Sequence, residues 1–255
     1  MSAALRRGTF SLLLFLLTTH VWAEPIQAFQ GKPTNNFYVF TEGGAAYMPS
    51  IQFKDVSDSG FVEGVSFSGS ISNQILSTEL GYDAIVGFGY HLNKNLSLEI
   101  EGGFISNKIT NYQMDISGTI DGISGSVTGA TFQLQNASIQ QIPICLNLVI
   151  MNPDLRFRPM VGFGLGACPT RMDLGSYQLD ATSIGAGVYD IQIGSYNACP
   201  FLIKLKAGIG YSLSQNIDIG LRGYANILAG ADYGDALQAD VYSVVGVNFN
   251  LTGRF

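Results

Sequence analysis

The sequence predicts an all-β fold, and three observations support this prediction. From Val245 to Phe255 the odd positions carry apolar residues or glycine and the even positions carry mostly polar ones; a period of two is typical of a half-buried strand. Segments with the same alternation recur along the chain. The spacers between them mostly alternate between long and short. Only 13% of the residues are charged. After the N-terminal 23 residues there is nevertheless no run of about 18 apolar residues, so no membrane-spanning helix is predicted.

Residues 1–23 have the pattern of a secretory signal peptide. Two arginines precede the short apolar run FSLLLFLL, and the tripeptide ending at Ala23 resembles a small-residue cleavage site. A helical anchor is the weaker interpretation because the apolar run is too short to span a bilayer. Cleavage near Ala23 would leave a polar N-terminal lead-in at 24–36 and a single domain at 37–255.

The charge of the mature chain excludes one class of partner. Cleavage would leave 11 of the 13 basic residues and all 19 acidic residues. The chain is therefore acidic and has no basic run, so nucleic acid is not an expected partner.

The first three predicted strands are 37–48, 80–92 and 96–106. In the second, every other residue from its first leucine to its last is apolar or alanine. The third places its leucines on one face and Glu99 and Glu101 on the other. An Asn-Lys-Asn turn joins the second strand to the third.

The fourth and fifth predicted strands are 138–150 and 155–167, joined by an Asn-Pro-Asp turn. Pro143 weakens the fourth strand because proline cannot donate to the hydrogen-bond ladder. The fifth strand places Arg156 and Arg158 on the same face as its glycines, which predicts that both arginines point inward.

The last three predicted strands are 201–213, 217–228 and 240–255. A Ser-Gln-Asn turn joins the first two of them. Lys204 and Lys206 share the glycine face of the sixth strand and are also predicted to point inward.

Eight strands with tight turns alternating with longer spacers predict an eight-stranded antiparallel up-and-down transmembrane β-barrel, with short periplasmic turns and long external loops. The alternative is a soluble eight-stranded barrel of the lipocalin kind, with an apolar interior. Here the strand charges share the glycine face, which favours a polar interior and a lipid-facing exterior. The predicted external loops are 49–79, 107–137, 168–198 and 229–239, and the second is expected to extend its hairpin beyond the membrane.

Three segments resemble one known family. VGFGLGA at 161–167, KAGIGYSLSQNIDIGLRGY at 206–224 and GVNFNLTGRF at 246–255 are similar to the opacity-type and OmpA-like eight-stranded outer-membrane barrels, in particular the rickettsial-type surface antigen barrels. The resemblance implies a bacterial outer-membrane location, with outer-membrane lipid and the assembly machinery as partners. The C-terminal segment also resembles the assembly signal, carried here by Gly246, Phe249, Leu251 and Phe255.

The inward charges fall into two groups that would face each other across the barrel. A barrel of eight strands is just wide enough to be filled by side chains, and buried charges need partners. We predict a salt-bridged plug, with a gate or narrow pore as the alternative. The predicted lumen charge network comprises Glu42, Asp83, Glu99, Glu101, Arg156, Arg158, Lys204, Lys206, Asp218 and Arg222.

Two cysteines bracket the third long loop. An exported chain meets an oxidising compartment, so a disulfide between Cys168 and Cys199 is a hypothesis, although simple counting places them on opposite faces and a bulge would be needed. Cys145 would remain a lone buried thiol. His91, beside a periplasmic turn, is interpreted as a structural histidine.

The function predicted from these features is display. An integral outer-membrane barrel with four external loops would serve as a surface antigen or adhesin-like protein, or as a structural envelope protein, with a host or surface ligand contacting the loops. The alternative is a narrow porin-like channel for small solutes or lipid-like ligands. No enzyme activity, metal site or cofactor is expected.

Overall fold

The computed structural model describes residues 36–62, 65–120, 123–152, 154–180, 188–234 and 237–255. The predicted signal peptide and all but the last residue of the predicted lead-in lie outside these residues. Within them, no helix is long and apolar enough to cross a membrane.

The described residues form an all-β structure. The strands are β1 (Phe37–Tyr47), β2 (Ser50–Gln52), β3 (Val56–Val62), β4 (Val65–Thr78), β5 (Gly81–His91), β6 (Leu96–Ile120), β7 (Ile123–Gln135), β8 (Ser138–Gln141), β9 (Ile144–Met151), β10 (Phe157–Ala167), β11 (Thr170–Asp173), β12 (Ser176–Asp180), β13 (Val188–Gln192), β14 (Ser195–Ala198), β15 (Phe201–Ser212), β16 (Ile217–Asp232) and β17 (Gln238–Arg254).

Eight of these strands close into an antiparallel barrel. The wall strands follow one another in the ring as β1, β5, β6, β9, β10, β15, β16 and β17. The ring closes because β1 also pairs with β17, from Tyr38 opposite Arg254 to Tyr47 opposite Val245. Full closure leaves no free edge in the wall. The predicted eight-stranded transmembrane barrel is confirmed.

The two faces of the wall differ as predicted. Phe249 is 76% exposed and Phe88 is 62% exposed on the outer surface, whereas Glu99 on the inner surface is fully buried. A continuous band of exposed aromatic and aliphatic side chains on strands whose charges point inward is stable against hydrocarbon. A lipocalin-like arrangement would have the opposite polarity, so that alternative is excluded.

The predicted external loops consist largely of strands. Loop 49–79 contains β2, β3 and all of β4, and loop 107–137 continues β6 and forms β7, as its alternation indicated. Loop 168–198 contains β11 to β14, and loop 229–239 consists largely of the ends of β16 and β17. The sheet therefore extends well beyond the apolar band, opposite the short turns.

Pro143 interrupts the fourth wall segment, as its missing N–H requires. It lies between β8 and β9, and its carbonyl accepts a hydrogen bond from the Gly103 N–H at 3.0 Å. The adjoining Ile142 N–H donates to the Pro169 carbonyl at 2.8 Å. Neighbouring strands thus satisfy the backbone around the break.

An apolar core, which was not predicted from the sequence, fills the extended end of the barrel. Its members are fully or almost fully buried. Beyond the apolar band, the apolar side chains thus point into the barrel instead of outward, as in a water-soluble protein. We call this core the apolar cap; it includes Met48, Ile51, Leu76, Ile105, Ile109, Ile139, Met172, Leu174, Leu202 and Leu228.

Candidate functional site

The barrel lumen brings together nine of the ten residues predicted for the charge network, all buried. The inward-facing positions of the wall strands carry them, because alternate residues of a strand share one face. Glycines on the same face make room for the long side chains. A Cβ at Gly89, for example, would overlap the ring of Tyr38.

A chain of four charges crosses the middle of the lumen. Lys206 from β15 bonds to Glu99 from β6, and its Nζ lies 3.0 Å from Glu101 Oε2. Lys204, two residues earlier, bonds to Glu101. These contacts join opposite walls of the barrel, so each carboxylate is neutralised from across the lumen.

Arg222 extends this chain towards β1. Its Nη1 lies 2.6 Å from Glu42 Oε1 and 4.0 Å from Glu99 Oε1, and its guanidinium lies 4.8 Å from the centre of the Phe40 ring. The Tyr38 hydroxyl donates to Glu99 at 2.7 Å. Charge-assisted bonds and aromatic faces thus replace the water that these ions would otherwise need.

A second cluster lies near the short turns. Arg158 and Arg254 both bond to Asp218, and each also donates to the Ser212 hydroxyl, at 3.3 and 3.2 Å. Arg254 was missing from the predicted network. The alternation of the last strand could have found it, since Arg254 shares the polar face of that strand.

Asp83 occupies a different setting from the other carboxylates. It accepts a hydrogen bond from the Tyr224 hydroxyl, and no Lys, Arg or His nitrogen among the described residues lies within 4.0 Å of it. Its neighbour in the register is Gly44, over which the Asn248 side chain folds. Asp83 is therefore held by one neutral donor, and its Oδ1 is buried with no hydrogen-bond partner among the described residues.

The prediction that Arg156 points into the lumen is wrong. Arg156 precedes the first residue of β10, in the turn, and it is exposed. Its guanidinium lies 5.0 Å from the centre of the Tyr211 ring on the outer surface. Strand parity does not extend into a turn, which is why the alternation of the fifth strand misplaced it.

The predicted disulfide between Cys168 and Cys199 is absent, and both are free thiols, as is Cys145. Cys168 is buried within the apolar cap whereas Cys199 is exposed. Their side chains lie on opposite faces of the wall, and no bulge brings them together. Counting alternate positions in the sequence already places Cys168 and Cys199 on opposite faces, and the structure has them there.

His91 is buried at the turn end of the lumen. Its Nδ1 lies 2.7 Å from the Ser97 hydroxyl, and its ring stacks on Tyr38 at a centroid distance of 4.8 Å. Within the described ranges, no cluster of three or more His, Cys, Asp or Glu side chains is placed to hold a metal ion.

Of the four C-terminal residues predicted as an assembly signal, three face outward. Phe249, Leu251 and Phe255 are exposed on the apolar band. Gly246 faces the lumen instead, where a Cβ would overlap the ring of Tyr224. The interior packing of Tyr224 accounts for this glycine.

Comparison with known proteins shows only a general likeness. No protein-family model and no curated protein matches the chain. Among solved structures, Neisserial surface protein A aligns at 12% identity and a TM-score of 0.48, covering 86% of this chain and 97% of its own. OprG from Pseudomonas aeruginosa aligns at 15% identity with a TM-score of 0.36, covering 86% and 96%. Ail of Yersinia pestis aligns at 11% identity with a TM-score of 0.35, covering 87% and 99%.

Proposed function

We propose that the chain is an outer-membrane protein that displays β-structure on the cell surface, after removal of the signal peptide near Ala23. The observation that carries this proposal is the asymmetry of the barrel. One end has short turns, and at the other the strands continue beyond the apolar band as an exposed sheet. A rigid scaffold that raises exposed segments above a membrane is suited to binding.

The filled lumen supports display over transport. Paired charges occupy its middle, and the apolar cap fills the end that would open to the exterior. A porin-like channel for small solutes or lipid-like ligands would require both the paired charges and the apolar cap to move out of the lumen. We assign no catalytic step to the protein, since its only histidine beyond the leader packs against Tyr38 and Ser97 at the turn end.

The segments 49–79, 107–137, 168–198 and 229–239 are the proposed contact surfaces for a host or surface ligand. The resemblance to opacity-type and rickettsial-type surface antigen barrels favours an antigen or adhesin-like role, and a structural role in the envelope remains the second form of this proposal. For either role the chain must meet the assembly machinery, and we propose that Phe249, Leu251 and Phe255 are what it reads.

Cysteine labelling of whole cells tests the orientation. We expect Ser126→Cys, in β7, to react with a membrane-impermeant maleimide in a Cys199→Ser background. The matched control is Asn95→Cys, in an exposed short turn, which should react only after the outer membrane is permeabilised. The reverse pattern, or equal labelling of both, would contradict surface display of the extended sheet.

A further inference from the structure

Four strands, β3, β4, β6 and β7, form a sheet at the extended end of the barrel. Its register aligns side chains in rows that cross all four strands. Two rows carry hydroxyls, and an apolar row lies on the opposite face because neighbouring positions alternate. The hydroxyl rows are Ser57–Ser70–Ser117–Ser126 and Ser59–Ser68–Thr119–Ser124, and the apolar row is Val56–Ile71–Ile116–Val127.

Both outer strands of this sheet have a free edge in the described part of the chain. β3 pairs with β4 alone, and β7 pairs with β6 along its length, with β12 reaching it only at Leu134 and Gln135. An unpaired edge is a template for another strand, and natural proteins block it with lysine, proline, β-bulges or covering segments. β3 and β7 contain no lysine or proline, and Asp58 is the sole charged residue of the two strands. The register shift between β6 and β7 lies between Val127 and Ala130, so Ile123–Val127 stays regular.

We propose that β7 of one copy pairs in antiparallel fashion with β3 of a second copy. Chain direction allows this pairing, because β3 runs away from the apolar band and β7 runs back towards it. Two barrels upright in one membrane thus present these strands in opposite directions. The occupant of each edge is an extended strand, because only a polypeptide backbone supplies alternating N–H and C=O groups at the spacing of the ladder.

The hydroxyl and apolar rows of the sheet indicate that the partner strand belongs to a second copy of the chain. Ser57 and Ser126 lie in the same row, as do Ser59 and Ser124. Pairing Ser126 with the next copy's Ser57 therefore continues both hydroxyl rows and the apolar row across the contact. A slip of one residue would place hydroxyls against valines. Asp58 would meet Gly125, so no like charges oppose each other.

This contact is heterologous, since it joins two different edges. Rotation about the membrane normal keeps every barrel upright, and repeated contacts of this kind form a ring when the rotation between copies closes, or an open row when it does not. The inference goes beyond the proposed display function, because it concerns association in the bilayer and can be measured with purified protein.

Disulfide trapping tests the contact. Within one chain Ser57 and Ser126 are three strand spacings apart, about 14 Å, which exceeds the Cα separation of about 7 Å that a disulfide tolerates. Ser57→Cys and Ser126→Cys chains, each in a Cys199→Ser background, are reconstituted together in lipid vesicles and mildly oxidised. We expect disulfide dimers from the mixture and at least fivefold fewer from either chain alone.

Two results would overturn the proposal. One is the absence of dimers in the mixture although both thiols react with maleimide. The other is equally efficient dimer formation by a single variant, which would indicate an isologous contact. Heat-dependent migration on a gel shows that each variant is folded.

A charge pair provides a second measurement. Like charges directly opposite each other destabilise paired strands. We expect Ser57→Lys/Ser126→Lys to lower the oligomeric fraction in lipid nanodiscs at least tenfold, whereas Ser57→Lys/Ser126→Glu should keep it near the wild-type value. A wild-type protein that is monomeric at every concentration, or two variants that behave alike, would contradict the pairing.

Discussion

Lys206 and Glu99 form an ion pair that joins opposite walls of the barrel across its lumen. The two residues are separated by 107 positions in the chain, and both side chains are almost completely buried. This ion pair therefore links β15 directly to β6, which are not neighbours in the ring. Its formation therefore requires that the strands from β6 to β15 curve round the lumen.

Removal of one charge of this pair should lower the stability of the barrel more than removal of both charges. A buried ion without its partner costs about 3–5 kcal/mol, whereas replacing a buried pair by apolar groups is often neutral. We expect Glu99→Gln to lower the free energy of unfolding by an amount in that range, and Glu99→Gln/Lys206→Met to recover most of it. Urea unfolding in lipid vesicles, followed by heat-dependent gel migration, measures the difference.

The matched control for this comparison is Arg156→Gln, which removes an exposed charge outside the lumen. It should change the unfolding free energy little, since exposed charge contacts contribute about 0–1 kcal/mol. A double variant as unstable as Glu99→Gln alone would show that the pair does more than neutralise charge.

The interior glycines predict a steric effect. Gly246→Ala should destabilise the barrel by about 1–3 kcal/mol, because the added Cβ overlaps the Tyr224 ring and leaves it no room over β17. Gly253→Ala in the same strand is the control, since its nearest neighbour outside the adjacent residues would be Phe255 Cζ at 3.8 Å, an ordinary contact. Equal melting temperatures for the two variants would exclude the steric explanation.

The apolar cap should control the protease resistance of the extended sheet. Leu76→Ala removes a fully buried side chain, which costs about 2–5 kcal/mol, and cleavage follows the population of the open form when opening is fast. We expect faster trypsin cleavage at Lys54 and Lys108 with the wall intact. Ile75→Ala, at a half-buried position, should have a smaller effect; similar rates for both would contradict a packed cap.

The wall was predictable from the sequence because lipid and lumen impose opposite polarity on alternate residues. Leu205 and Lys206 illustrate this, since one faces lipid and the other faces Glu99. The apolar cap was not predicted, because the apolar face of every predicted strand was assigned to the outside of the barrel along its whole length. A signal did exist, since Phe201, Leu202 and Ile203 are consecutive apolar residues where the exterior band meets the cap.

Pairing partners within the lumen could not be predicted in the same way. Alternation shows that Lys204 and Glu101 both point inward, but their contact depends on the tilt and stagger of the closed wall. The same limit applies to Asp83, whose partner proved to be Tyr224 rather than a cation. Turns form a further limit, as Arg156 demonstrates.

The two layers in the lumen predict low conductance. We expect the purified wild-type barrel to produce no sustained ohmic current in planar bilayers, because charged side chains and the apolar cap both occupy the lumen. Glu99→Ala/Lys206→Ala should also stay closed, since the cap is unaltered. Large, sustained currents from the wild type would contradict this prediction and favour the channel alternative.

Asp115 predicts a pH dependence in the extended sheet. Hydrogen bonds from Asn73 Nδ2 and from the Gly129 N–H, each at 2.6 Å, lower the pKa of this carboxyl group. A carboxyl group with a lowered folded-state pKa contributes stability above its unfolded pKa, about 4, and this contribution is lost as the pH falls through the folded value. We therefore expect amide-exchange protection of β7 near Gly129 to decrease below about pH 4. Asn73→Ala removes one donor, so it should move that loss to higher pH; an unchanged midpoint would show that Asp115 does not hold the strands together.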